Sequence, residues 1–147
     1  DPEVLVAISN LSANMGAANI TEIEFVTTSF DKSDGGNIDV LVRFNEPVTV
    51  TGTPRVSITN GNQGSGSGRG PHLANYLSGS TTNELTFRCT IAAANAATNA
   101  GDILVIGANA LALNSGTIKD TGQSGTNATI TSSAGIGTAA GSITVAA

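Results

Sequence analysis

The chain has 147 residues, 12% of them charged and 3% aromatic, with 18 Gly and a formal net charge of -5. That length suits one domain with a sizeable core, and scarce charge beside abundant Gly, Ser, Thr and Asn suits strands joined by tight turns. The acidic balance argues against nucleic acid: Arg43, Arg55, Arg69 and Arg88 are scattered rather than striped, and so few aromatics leave bases nothing to stack on.

Residues 1–19 read as an N-terminal arm. Its apolar run Val4-Leu5-Val6-Ala7-Ile8 is too short for the core of a secretion signal. Ile20 to Thr27 is the first strand, with Ile23, Phe25 and Thr27 on one face and Glu22 and Glu24 on the other. Asp31 to Asn37 is a turn by its Asp, Asn and Gly content. Ile38, Val40, Val42 and Phe44 then alternate with Asp39, Leu41 and Arg43, the period of a half-buried strand. Glu46-Pro47 is expected to break that strand, Val48 to Val50 to form a short one, and Arg55 to Thr59 another.

Asn60 to Gly70 reads as a flexible, exposed loop of Gly and small polar residues. Leu73 to Leu77 resumes the strand pattern. Leu85, Phe87, Cys89 and Ile91 alternate in a second period-two strand, hairpin-paired with the one before it. The two alternating sets should pack together in a firm register, because a slip of one residue would turn every side chain to solvent. Ala92 to Ala100 is a loop or single turn, Ile103 to Ile106 a buried strand, and 108–113 and 116–118 short strands. Ala128 to Thr131 closes the main body. Residues 132–147 read as a C-terminal tail or an extra strand at Ile143-Thr144-Val145. Many short strands and no convincing helix indicate an all-β fold, an immunoglobulin-like sandwich with Greek-key connections, with a closed barrel as the alternative.

The stretches IDVLVRFNEPVTVTGTPRVSI (38–58), ANYLSGSTTNELTFRCTI (74–91) and ALALNSGTIKDTGQSGTNATI (110–130) resemble the Ig-like repeats of large bacterial surface and adhesin-type proteins. The resemblance covers residues 20–131 in order. It implies a sandwich over 20–131, surface exposure and no catalysis. Such repeats occur in arrays, and this sequence carries one copy. Single Ig-like domains of this composition also decorate tailed-phage capsids and tails.

Candidate chemistry is sparse. His72 and Cys89 are the types of a nucleophile pair, but strand parity sends Cys89 to the core. Asp31 and Asp34, with Asp102 or Asp120 if the fold gathers them, are weak calcium candidates; the stretch DKSDGG lacks the ligand density of a calcium loop. Glu22 and Glu24 point outward from one strand, as a solvated edge. A carbohydrate-binding module needs aromatic platforms, and Trp is absent while Tyr76 is the one Tyr.

The reading is therefore a non-enzymatic structural protein on a virion surface, a capsid decoration (cement) protein or tail accessory. The alternative is a binding or spacer module of an extracellular, bacterial cell-surface adhesin. The expected partners are a capsid or tail protein, further copies of the chain, or a host-surface glycan or protein, with no nucleic acid and no membrane insertion. Attachment is expected through Val4, Leu5, Val6 and Ile8 of the arm, helped by Ile143 and Val145.

Overall fold

The computed structural model describes residues 17–61, 69–123 and 125–147. The protein is all-β. Among the described residues are strands β1 (Ile20–Phe25), β2 (Phe30–Asp31), β3 (Gly36–Thr51), β4 (Arg55–Gly61), β5 (His72–Ser78), β6 (Thr82–Ile91), β7 (Ile103–Ala112), β8 (Thr117–Asp120) and β9 (Ser142–Ala146), with a short helix, α1 (Ala134–Ala139), between the last two. The strands form one curled mixed sheet in the order β1-β3-β6-β5-β4-β7-β9-β2, with β8 added to β3. All neighbours are antiparallel except β2 and β9.

The alternating sets dictate the centre of the sheet. Ile38 lies opposite Cys89, Val40 opposite Phe87 and Val42 opposite Leu85. Phe44 closes the row, and the inward side chains of both strands are at most 9% exposed. On the outer face the same register sets Asp39 opposite Arg88 and Arg43 opposite Glu84, where charge pairs replace packing. The curl folds the inner faces of β4, β7 and β9 over those of β1, β3 and β6. Val56, Ile58, Leu104, Ile106, Ile143 and Val145 thereby join the same core.

Several elements differ from the sequence expectation. The strand at 38–44 does not end at Glu46-Pro47; β3 continues to Thr51, and a register shift between Arg43 and Val48 absorbs the interruption. A proline donates no ladder hydrogen bond, and a bulge is where that loss is tolerated. Beyond the bulge β3 changes partner, from β6 to β8. Ala128–Thr131 is not a strand: Asn127 and Thr129 make isolated bridges to Lys119 and Asn19. Residues 132–147 supply the extra strand that was the alternative to a tail, and a short helix before it that the sequence did not suggest. Ser133 caps α1 by accepting a hydrogen bond from the Ile136 amide, and β9 enters the sheet between β7 and β2. The helix packs on β7 and β1, sealing the seam that the curl leaves between them.

The register also fixes the poles. Asn19 precedes β1 and exchanges hydrogen bonds with Asn45, far along β3, through its amide and its carbonyl. At the other end, the Lys32 amide donates to the Ala146 carbonyl and the Ala94 amide to the Lys32 carbonyl, just before β3 begins. Asn19 and Ala146 thus stand at opposite poles of the body.

Candidate functional site

A buried polar cluster lies at the Ala146 pole, where β4 ends, β5 begins and the chain enters β7. Asp102 is 1% exposed. Its carboxylate accepts from Arg69 twice, Nε to Oδ2 at 2.7 Å and Nη2 to Oδ1 at 2.6 Å. Oδ2 also accepts from Asn60 Nδ2 at 3.0 Å and from the Asn99 amide at 2.9 Å. Asn60 Nδ2 lies 3.1 Å from His72 Nε2. The Arg69 guanidinium, foremost, and these neutral donors hold the Asp102 carboxyl down at about 2. Burial lowers the His72 pKa, opposed by the Asp102 charge. The Asp102 carbonyl also accepts a hydrogen bond from the Val145 amide. The cluster thus ties four segments of the chain together. A bidentate Arg–carboxylate pair with its lone pairs satisfied is the geometry that offsets the cost of burying charge.

This arrangement corrects the expectation for 60–70. Asn60 and Gly61 belong to β4, and Asn60 is 6% exposed. Arg69 is anchored at the other side, so both ends of the segment are held. Residues 62–68 lie outside the described residues.

A second constellation lies towards the Asn19 pole, at the β3 bulge. Glu46 comes from the bulge itself and Asp120 from the last position of β8, opposite Val48. Asp120 is 2% exposed. Its Oδ1 accepts from the amides of Gly122 and Gln123, which folds the following turn around it. Its Oδ2 and Glu46 Oε2 are buried without a hydrogen-bond partner. The two carboxyl groups are within reach of one another, and desolvation, followed by Asp120, raises the Glu46 pKa. Neither residue stood out in the sequence as part of such a pair. They are remote along the chain, and only the change of partner from β6 to β8 brings them together.

The other candidates are dispersed. Asp31 accepts from the Ser33 hydroxyl and amide, which lower its pKa, and so serves its own turn. Asp34 is exposed. Among the described residues no group of three or more His, Cys, Asp or Glu converges. Glu22 is not simply solvated: it meets Arg43 at 2.7 Å, and Arg43 also reaches Glu84. Arg88 makes a bidentate pair with Asp39. Cys89 is in the core, and burial pushes its thiol pKa up, which opposes thiolate formation.

Of the expected attachment residues, Val4, Leu5, Val6 and Ile8 lie outside the described residues. Ile143 and Val145 are not at the surface. Each is 1% exposed, because β9 completes this chain's own sheet and turns both side chains into its core. Among the described residues, no helix is long and apolar enough to cross a membrane. Compared with models of protein families, with curated proteins and with solved structures, the chain matches none.

Proposed function

We propose that this chain is a non-enzymatic structural domain with an immunoglobulin-like sandwich, acting as a spacer that joins one neighbour at each pole, in the manner of a module of a bacterial cell-surface adhesin. The strand order supports the finer fold. β1-β3-β6-β5 corresponds to the four-stranded sheet of a constant-type Ig domain and β4-β7-β9 to its three-stranded partner. The β4–β5 pairing joins the two into one curled sheet.

The observation that carries the function is the placement of the ends. Asn19 lies beside Asn45 and Ala146 beside Lys32, so a chain running through the body enters at one pole and leaves at the other. Copies joined in series would extend rather than cluster. The outer charges suit exposure, since Glu22, Arg43, Glu84, Asp39 and Arg88 are paired with one another.

The second reading is a capsid decoration protein or tail accessory on a virion surface. The same polarity favours it: residues 1–12 would seat one pole on a capsid or tail protein and leave the other outward, towards a host-surface glycan or protein. Three copies linked in series and measured by small-angle scattering test the spacer. A rod gaining on the order of 40–50 Å per copy is expected from the length of β3. A compact particle overturns it. Adsorption of the single domain to particles stripped of it, with no elongation in series, would favour the virion reading instead.

A further inference from the structure

Glu46 and Asp120 present a chemical problem that the fold alone does not solve. Two carboxyl groups meet in a desolvated place, and unless they share a proton each has a buried oxygen without a hydrogen-bond partner, Glu46 Oε2 and Asp120 Oδ2. Asp120 is 98% withdrawn from solvent, being 2% exposed. None of the ion pairs among the described residues includes either group. Lys119, the neighbour in sequence, is on the opposite face of β8, where it lines a threonine-rich depression with Thr49, Thr51, Thr117 and Thr121. Like charges in such a place need either a shared proton or a cation between them.

We propose that Glu46 and Asp120 are the carboxylate ligands of a calcium site at the pole where the chain enters the body. Several features favour Ca²⁺. The donors are hard oxygens, without the nitrogen or sulfur that zinc prefers. Asp120 Oδ1 is already fixed by the Gly122 and Gln123 amides, which leaves Oδ2 as the oxygen without a protein donor. No third carboxylate, His or Cys joins the pair among the described residues, so backbone carbonyls and water supply the other ligands. Few charged ligands mean modest affinity, a dissociation constant of about 10⁻⁴–10⁻³ M, the range of extracellular modules.

The site matters for a domain that works in line. Asn19 and Asn45 are joined one residue from Glu46, and the Thr121 amide donates to the Pro47 carbonyl one residue on the other side. A bound ion would therefore brace the bulge of β3, the end of β8 and the incoming chain at once. The proposal stands on the carboxylate geometry and does not depend on whether the domain is a spacer.

The test is thermal unfolding of the full chain at neutral pH with EDTA, then with about 10 mM CaCl₂ or MgCl₂, roughly tenfold above the weak end of that range. Calcium should raise the midpoint by several degrees, reversibly on adding EDTA. Magnesium should raise it less, because it keeps its water more tightly. Glu46→Gln should fold in EDTA, since its amide can donate to Asp120 Oδ2 in place of a shared proton. It should bind calcium at least about tenfold more weakly than the parent. Asp120→Asn, which keeps an acceptor for the Gly122 and Gln123 amides, should behave likewise. Asp34→Asn should leave the response unchanged. A parent midpoint indifferent to calcium would show that a proton bridges the pair and would overturn the site. An undiminished response in both Glu46→Gln and Asp120→Asn would overturn it too, by placing the ion elsewhere.

Discussion

Phe44 and Phe87 carry the largest fully buried side chains, 1% and 0% exposed, and face the same core from adjacent strands. Truncating either to Ala should cost about 3–5 kcal/mol, read as a lower denaturant midpoint at unchanged m-value. Asp102 makes a pH prediction of definite sign. Its folded pKa, about 2, is below the ordinary 3.8, so the folded state binds protons less readily than the unfolded one. The stability this contributes is in full force above about pH 4 and fades as pH falls through 2. Its size is about 2 kcal/mol. Asp102→Asn should flatten that part of the acid limb while costing about 3–5 kcal/mol at neutral pH, because Arg69 would stay partly buried without its carboxylate. An acid limb of unchanged slope between pH 4 and 2 would remove Asp102 from the account. The residue-level logic of the core was legible in the sequence, since period two sorts inward from outward side chains without reference to any partner. The polar clusters were not. Arg69, Asn60, His72 and Asp102 lie on segments with no common period, and so do Glu46 and Asp120.

At the scale of elements, strands with strong alternation were read close to their observed limits, as β1, β5 and β6 show. Elements whose burial depends on a remote partner were not. Residues 132–147 read as a tail or as an extra strand at 143–145; the strand is there, but the serine-capped helix before it, which a glycine lets dock, left no mark in the pattern. Gly137 approaches the carbonyls of Ile106 and Gly107 so closely that a Cβ would collide with them. In an isolated helix Gly→Ala is worth about 1 kcal/mol in stability. Here the sign should reverse, and Gly137→Ala should unfold at lower temperature than the parent. An increase would mean that α1 does not pack against β7 in solution. The following strand carries more weight. Ile143→Ala should cost about 2–5 kcal/mol, measured by chemical denaturation. A chain ending at Gly141 should lose cooperative unfolding, because β7 then has an open edge and β2 has no strand to pair with. A truncated chain that melts as sharply as the parent would return 142–147 to the role of a dispensable tail.

The whole molecule is organised by its two poles, and its response to force follows. A pull between Asn19 and Ala146 runs along the strands. β1 is then drawn along β3, and β9 along β7, with the hydrogen bonds of each pair roughly perpendicular to the load. Bonds loaded in that way share the force and must yield together. A pull between Val26 and Ala146 is different. Val26 follows the last residue of β1 and donates to the Asp39 carbonyl, near the start of β3, so both points lie at the Ala146 pole. Force then acts across the sheet and opens the β1–β3 ladder one bond after another. Forced unfolding follows the barrier to unfolding rather than the equilibrium stability, so one protein should show two strengths. With attachment cysteines placed at these positions in a Cys89→Ala background, the unfolding force between 19 and 146 should exceed that between 26 and 146, although both variants share one denaturant midpoint. Equal forces would deprive the spacer reading of its mechanical rationale. A weaker response along the poles would argue that the body is built to be displayed from one end.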